Sequence, residues 1–252
     1  MKKLFFMAIT AAVFTVTAAE LHVENAIDSM KKEWYTGTMI GKNTHSLYIG
    51  EKSYPDCWNY WYAASGLTPE TAQFKPLNAI DPDLIKGSFW QKYAPIMAAS
   101  LSKNGKSFIY PALSSGSINT DQSQKAFGGA YGFKNPFNEE VFCYIEGRLR
   151  HAPEAKVFVY VKSADGKITH LTDSEKPGAL HVVNTTLKTG NVEKRQYLKL
   201  QIEVKLQAGD TVMFAAFRND HAQKITQKKR INFLSPNDQW GKAYQPAISF
   251  EK

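Results

Sequence analysis

Trp58, Tyr60, Trp61 and Tyr62 crowd behind Cys57 in the stretch CWNYWYA, which is dense even for a chain that is 13% aromatic. Aromatic planes stack on the C–H faces of sugars and offer a polar edge to a hydroxyl, so such a cluster is either core or a docking platform. Two Asn-Asp pairs, Asn219-Asp220 and Asn237-Asp238, with Trp240 close behind the second, supply oxygens of the kind that bind calcium or read sugar hydroxyls. Turn formation is the first reading of the same pairs, and a calcium ion bound there would be structural. Arg148, near Glu146, adds hydrogen-bonding groups at the end of a strand pattern. Catalytic motifs are missing: LSSGSIN lacks the second glycine of G-x-S-x-G, and none of the 6 histidines stands in H-E-x-x-H. His151, His170, His181 and His221 are isolated and read as surface or turn residues. No catalytic residue is assigned, although paired carboxylates for glycoside hydrolysis are set by space and leave no linear spacing.

The elements that must position these groups are strands. VFCYIEGRL places Val141, Cys143, Ile145 and Leu149 on one face and Phe142, Tyr144, Glu146 and Arg148 on the other. KVFVYVK sets Val157, Val159 and Val161 against Phe158 and Tyr160, and the Asp165-Gly166 pair then turns the chain into ITHLTD as a hairpin. YLKLQIEVKLQ alternates Leu198, Leu200, Ile202, Val204 and Leu206 with polar residues. TVMFAAF is apolar on both faces, as an interior strand covered on both sides must be. SLYIG, CWNYWYA, KSFIYPAL and PAISFE complete the strand candidates, and PDLIKGSFWQKYAPIMAASL has room for helical turns. Strands at short spacing without long amphipathic helices predict an all-β, antiparallel sandwich of jelly-roll type with long loops.

Residues 1–19 read as a secretory signal: Lys2 and Lys3, an apolar run from Leu4 to Val16, then Thr17, Ala18 and Ala19. Residues 20–44 are expected to form an N-terminal extension whose Ile27, Met30 and Trp34 fit a short helix, and residues 45–252 the sandwich. The expected location is secreted or periplasmic, with no membrane span. Removing Lys2 and Lys3 takes the formal charge from +8 to about +6. This suits an acidic glycan or a cell surface. It is not a nucleic-acid signature, because basic residues are scattered except in KITQKKR, where Lys224, Lys228, Lys229 and Arg230 read as a solvated loop.

Cys57 and Cys143 are the only cysteines, and an oxidising compartment favours a disulfide between them over two buried thiols. If they bridge, Cys57 points inward with Cys143. Alternation then sends Trp61 inward and turns Trp58, Tyr60 and Tyr62 to the opposite face, as a platform or under the loops of residues 64–125. Phe142, Tyr144, Phe158 and Tyr160 pose the same choice between packing and a ring-lined sheet face.

The order CWNYWYA, FGGAYGFKNPFNEEVFCYIEG, KVFVYVKSADGK, VKLQAGDTVMFAAFRND and NDQWGKAYQPAISF resembles the jelly-roll, galactose-binding-like modules of secreted bacterial carbohydrate-active proteins. The resemblance spans roughly residues 45–252 and implies glycan binding. In LQAGDTVMF, Gly209 serves the turn and Asp210 can bond its own turn backbone. After FRND the chain departs from the pattern into HAQKITQKKR. The resulting expectation is a secreted, non-catalytic carbohydrate-binding protein, its ligand contacts drawn from Trp58, Tyr60, Tyr62, Arg148, Asn219, Asp220, Asp238 and Trp240. A jelly-roll polysaccharide lyase or hydrolase acting on an acidic glycan is the alternative, and a structural or adhesive surface protein is another.

Overall fold

The computed structural model describes residues 20–23, 44–76, 78–79, 96–101, 107–114, 127–151, 155–186, 189–219, 230–232 and 247–251. The signal, the predicted N-terminal helix, Asp220, Asn237, Asp238 and Trp240 lie outside them. Among the described residues the chain is all-β, and none forms a helix long and apolar enough to cross a membrane.

Successive strands are β1 (Glu20–Val23), β2 (Thr44–Ile49), β3 (Lys52–Ser65), β4 (Gln73–Pro76), β5 (Asn78–Ala79), β6 (Ile96–Leu101), β7 (Ser107–Ser114) and β8 (Gly128–Lys134). They continue with β9 (Val141–His151), β10 (Ala155–Lys162), β11 (Ile168–Asp173), β12 (Leu180–Thr186), β13 (Val192–Leu206), β14 (Thr211–Arg218), β15 (Arg230–Asn232) and β16 (Ala247–Glu251). A large sheet runs β11-β10-β14-β8-β3-β2-β1-β16-β9-β13-β12, with β4 added beside β3. A smaller one runs β15-β7-β6-β5. Pairing is antiparallel except where β5 meets β6. Residues 96–101, within the stretch with room for helical turns, are strand instead. β1 lies in the segment expected to be an extension and pairs with β16 along its length.

The large sheet doubles on itself where β1 and β2 touch through one pair, Val23 and Ile49. One half is β11-β10-β14-β8-β3-β2, the other β1-β16-β9-β13-β12, an arrangement consistent with a β-sandwich. Alternation explains the shared core: Val157, Val159 and Val161 from one half meet Val141, Cys143, Ile145, Leu149, Leu198, Leu200 and Leu206 from the other in one buried cluster. Phe250 closes it, its ring edge-on to Phe133 at 5.9 Å and to Phe137 at 5.5 Å.

The expected disulfide is corrected. Cys57 and Cys143 are both free thiols in the core, and the Cys57 Sγ–H donates to the Pro55 carbonyl at 3.5 Å. Burial pushes the Cys57 pKa up to about 11 against a backbone hydrogen bond at Leu47, and burial raises that of Cys143 further. Cys57 faces the core as expected, without a bridge, but the faces that alternation from it assigns to Trp58, Tyr60 and Trp61 do not hold. Asp56 takes a left-handed conformation at φ 56°, and the β2–β3 register shifts between His45 and Leu47. The phase of β3 changes there: Cys57 and Trp58 both belong to the core, and beyond them Tyr60 is inside while Trp61 and Ala63 are outside.

The turns are tied by buried polar groups. Asn135 is 4% exposed; its Nδ2 donates to the carbonyls of Glu139, Leu206 and Gln207 at 3.0 to 3.3 Å, and its Oδ1 accepts the Phe137 N–H. Gly209 has φ 86°, and Asp210 Oδ2 accepts the Gln207 N–H at 2.9 Å, the role read for it in the sequence.

Two outcomes follow. Asn135→Ala strands several buried backbone groups and should cost about 2–4 kcal/mol in urea unfolding; a loss below about 0.5 kcal/mol would remove Asn135 from this role. A thiol reagent should find both cysteines in unreduced, unfolded protein and neither in native protein, since a buried thiol is shielded and protonated. Thiols that appear only after reduction would restore the bridge.

Candidate functional site

Strand register places three polar side chains in a row across the outer face of the first half-sheet. Thr211 on β14 stands opposite Lys134 on β8 and, on its other side, opposite Lys162 on β10. Each side chain ends a strand, where alternation leaves the apolar face and meets the turn. The next rows inward are Tyr160, Met213 and Gly132, then Phe158, Ala215, Ala130 and Trp61, then Phe217, Gly128 and Ala63. In the row of Phe158 the middle positions, Ala215 and Ala130, are small, and a ring stands on each margin.

The result is a cavity of about 350 Å³. Met213, Trp61 and Phe74 form its apolar part, Lys134, Lys162 and Thr211 its polar end, and residues 163, 164 and 209 its turn wall. Trp61 and Phe74 are half-buried, which leaves ring surface to a ligand, whereas Met213 is 2% exposed and serves as floor. Behind the cavity the rings continue as a covered cluster: Phe74 to Phe217 at 6.0 Å, Phe217 to Phe158 at 5.7 Å, Phe158 to His170 at 6.0 Å.

A strap crosses this cluster. The turn after β3 carries Glu70, whose carboxylate meets His170 Nε2 on β11. The turn is braced by Thr71 Oγ1, which accepts the N–H groups of Leu67 and Thr68. The hydrogen bond with His170 holds the Glu70 carboxyl below its ordinary value. Burial drives the Tyr160 phenol well above its own, with the Glu70 charge adding to the shift.

Most residues singled out from the sequence do not meet here. Trp58 and Tyr60, expected to face outward, are 1% and 0% exposed and pack in the core; the phase change at Asp56 is the reason. Tyr62 lies on β3 opposite Gly129. Arg148 is exposed on β9, on the outer face of the other half. Asn219 follows the far end of β14, roughly 25 Å along the strand from Thr211. Among the described residues no group of three or more His, Cys, Asp or Glu side chains converges to hold a metal ion. Phe158 and Tyr160 are covered rather than free, and Tyr144 donates to Glu251 at 2.6 Å. Sequence reasoning missed Lys134, Lys162, Thr211, Trp61 and Phe74. A signal was present in FGGAYGFK and KVFVYVK, whose outward positions both run into a terminal lysine.

No family model matches this chain, and no curated protein matches it. Among solved structures it is similar to the "CBM3a-L domain with flanking linkers from scaffoldin cipA of cellulosome of Clostridium thermocellum", at 10% identity and a TM-score of 0.21, over 49% of this chain and 74% of that one. A superposition this loose does not bear on the fold, which rests on the strand pairing itself.

The strap has a pH signature. A carboxyl lowered in the folded state stabilises it above the ordinary glutamate value, and that contribution is lost as pH falls through the lowered value. Glu70→Gln should therefore lower the thermal midpoint at about pH 6 by a small amount, since the pair is half exposed, and the gap should close as pH falls through the lowered value. A gap that persists unchanged in acid would show that Glu70 acts by packing alone.

Proposed function

We propose that this protein is a secreted, non-catalytic carbohydrate-binding protein with a jelly-roll sandwich, and that its sugar site is the outer-face cavity of the first half-sheet. One observation carries the reading: two half-buried rings, Trp61 and Phe74, stand beside Lys134, Thr211 and Lys162 in one open depression. Rings supply stacking area at small entropic cost, while hydroxyl and ammonium groups supply the directed bonds that fix a sugar's orientation.

The chemistry of the lining supports binding over cleavage. It contributes no carboxylate and no imidazole among the described residues, so the pair of acids that glycoside hydrolysis uses is not part of it. Eliminative cleavage calls for a tyrosine or histidine that takes a proton beside a cation. Tyr160 adjoins the site, but its phenol is fully buried and its pKa is raised, opposite to what a base requires. His170 is engaged by Glu70. The proposed location outside the cytoplasm follows from residues 1–19 and is compatible with the free thiols only because both are buried.

The test is affinity electrophoresis of residues 20–252 through a panel of neutral and acidic polysaccharides, with each mixture assayed for reducing ends and unsaturated products. Retention without products is expected, and Trp61→Ala should weaken it about tenfold or more while the fold is kept. Products would make the protein an enzyme. Undiminished retention by Trp61→Ala would move the site elsewhere.

A further inference from the structure

We propose that Lys134, Thr211 and Lys162 form an anion subsite, so that the cavity selects sugars bearing a carboxylate or sulfate over neutral ones; this rests on the carbohydrate-binding reading above. Adjacent strands lie about 4.8 Å apart, so the two lysine Cα atoms, two strands apart, stand about 10 Å from each other across Thr211. Their flexible four-carbon stems let both ammonium groups lean over the threonine hydroxyl. One anion placed there meets two cations and a hydroxyl donor.

The other charges of this face make the pair stand out. Lys156, at the opposite end of β10, is held by Glu175 at 2.9 Å. Neither Lys134 nor Lys162 has an ion pair among the described residues, though both are exposed. The carboxylates of the neighbouring turns are already committed. Asp165 accepts the Ser163 hydroxyl and the Lys167 N–H, Asp210 is buried on the Gln207 N–H, and Glu70 is bound to His170. Lys134 and Lys162 thus face one depression whose lining, among the described residues, holds no carboxylate. The floor of Met213, Trp61 and Phe74 lowers the local dielectric, so an anion seated there is attracted more strongly than one in open water.

The row is also matched to its neighbours in the cavity. A sugar stacked on Trp61 or Phe74 presents its equatorial substituents sideways, along the strands, and the lysine row closes that side. Lysine acts as a compact point charge rather than a planar fork, so the site takes either a carboxylate or a sulfate.

Isothermal titration and affinity electrophoresis test this with polygalacturonate against its methyl-esterified form, dextran sulfate against dextran, and sodium polyphosphate as an anion without sugar. The protein should bind at least one charged polymer about tenfold more tightly than its neutral partner, with an advantage that shrinks as salt is raised. Which charged polymer is preferred tells carboxylate from sulfate. K134Q/K162Q should erase the preference and K134R/K162R should keep it. K194Q/K199Q removes the same charge from exposed positions of β13 and should also keep it. All variants are checked for an unchanged unfolding midpoint. Equal binding of charged and neutral polymers, unaltered by K134Q/K162Q, overturns the anion subsite and leaves the carbohydrate-binding reading standing. Polyphosphate binding as tight as that of any sugar, untouched by Trp61→Ala, overturns both and reduces the row to bare charge attraction. Failure to bind all five polymers overturns both as well.

Discussion

A sheet that is apolar on both faces has to be covered on both, and this constraint organises the first half-sheet. From Val212 to Phe217 every residue of β14 is buried. Its inner face meets the other half-sheet through Val212, Phe214 and Ala216, but Met213, Ala215 and Phe217 point the other way. Burying a large apolar side chain is worth about 1.5–3 kcal/mol, so leaving that second face in water would forfeit much of what the strand contributes. The cover comes from within the described chain. β4 folds back beside β3 to bring Phe74 over Phe217, β10 and β11 add Phe158 and Ile168, and the turn carrying Glu70 reaches across to His170. Among the described residues, the cavity is the part of that face which the cover does not reach.

Its depth depends on what β8 leaves out. Gly128 and Gly132 stand opposite Phe217 and Met213, and these two side chains lie against the backbone of β8. A Cβ on Gly132 would stand 2.6 Å from the Val212 carbonyl oxygen and 2.8 Å from the Met213 sulfur; one on Gly128 would meet the Ala216 oxygen at 2.5 Å. Neither fits without moving backbone. With Ala130 and Ala215 between them, these residues make a low floor between the ring-bearing margins. The glycines therefore act on packing here, by what they allow their neighbours to occupy.

Alternation made the sandwich legible in the sequence. The valine face of β10, the leucine face of β13 and the doubly apolar β14 each follow from residue types at period two, and each lies where that period put it. The faces of the ring cluster were less legible, because alternation counted from an inward Cys57 breaks between Cys57 and Trp58, both of them in the core. A single left-handed residue, Asp56, slips the strand just before the rings, and non-glycine residues adopt that conformation too seldom for composition to announce it. Trp58 and Trp61 consequently exchange the roles that unbroken alternation assigns them. The lysine row is a different case. Lys134, Thr211 and Lys162 are far apart in the chain, and only the register of three strands makes them neighbours.

The two ends of this face are built alike from strand-terminal polar residues, yet they are finished differently. At one end Lys156 meets Glu175, so its charge is paired within the fold. At the other end Lys134 and Lys162 flank Thr211 above an open depression. Solubility alone does not explain the contrast, because an exposed paired charge keeps a surface as wet as an exposed single one. Nor does stability, since surface pairs contribute only about 0–1 kcal/mol and their omission costs the fold little. The difference instead sets the polarity of the face: charge paired at the Lys156 end, open and cationic at the cavity, where Lys134 and Lys162 stand. On the proposed reading, a ligand that uses both the rings and the row has its charged group at the rim, by Lys134 and Lys162, and its apolar face against Trp61 and Phe74.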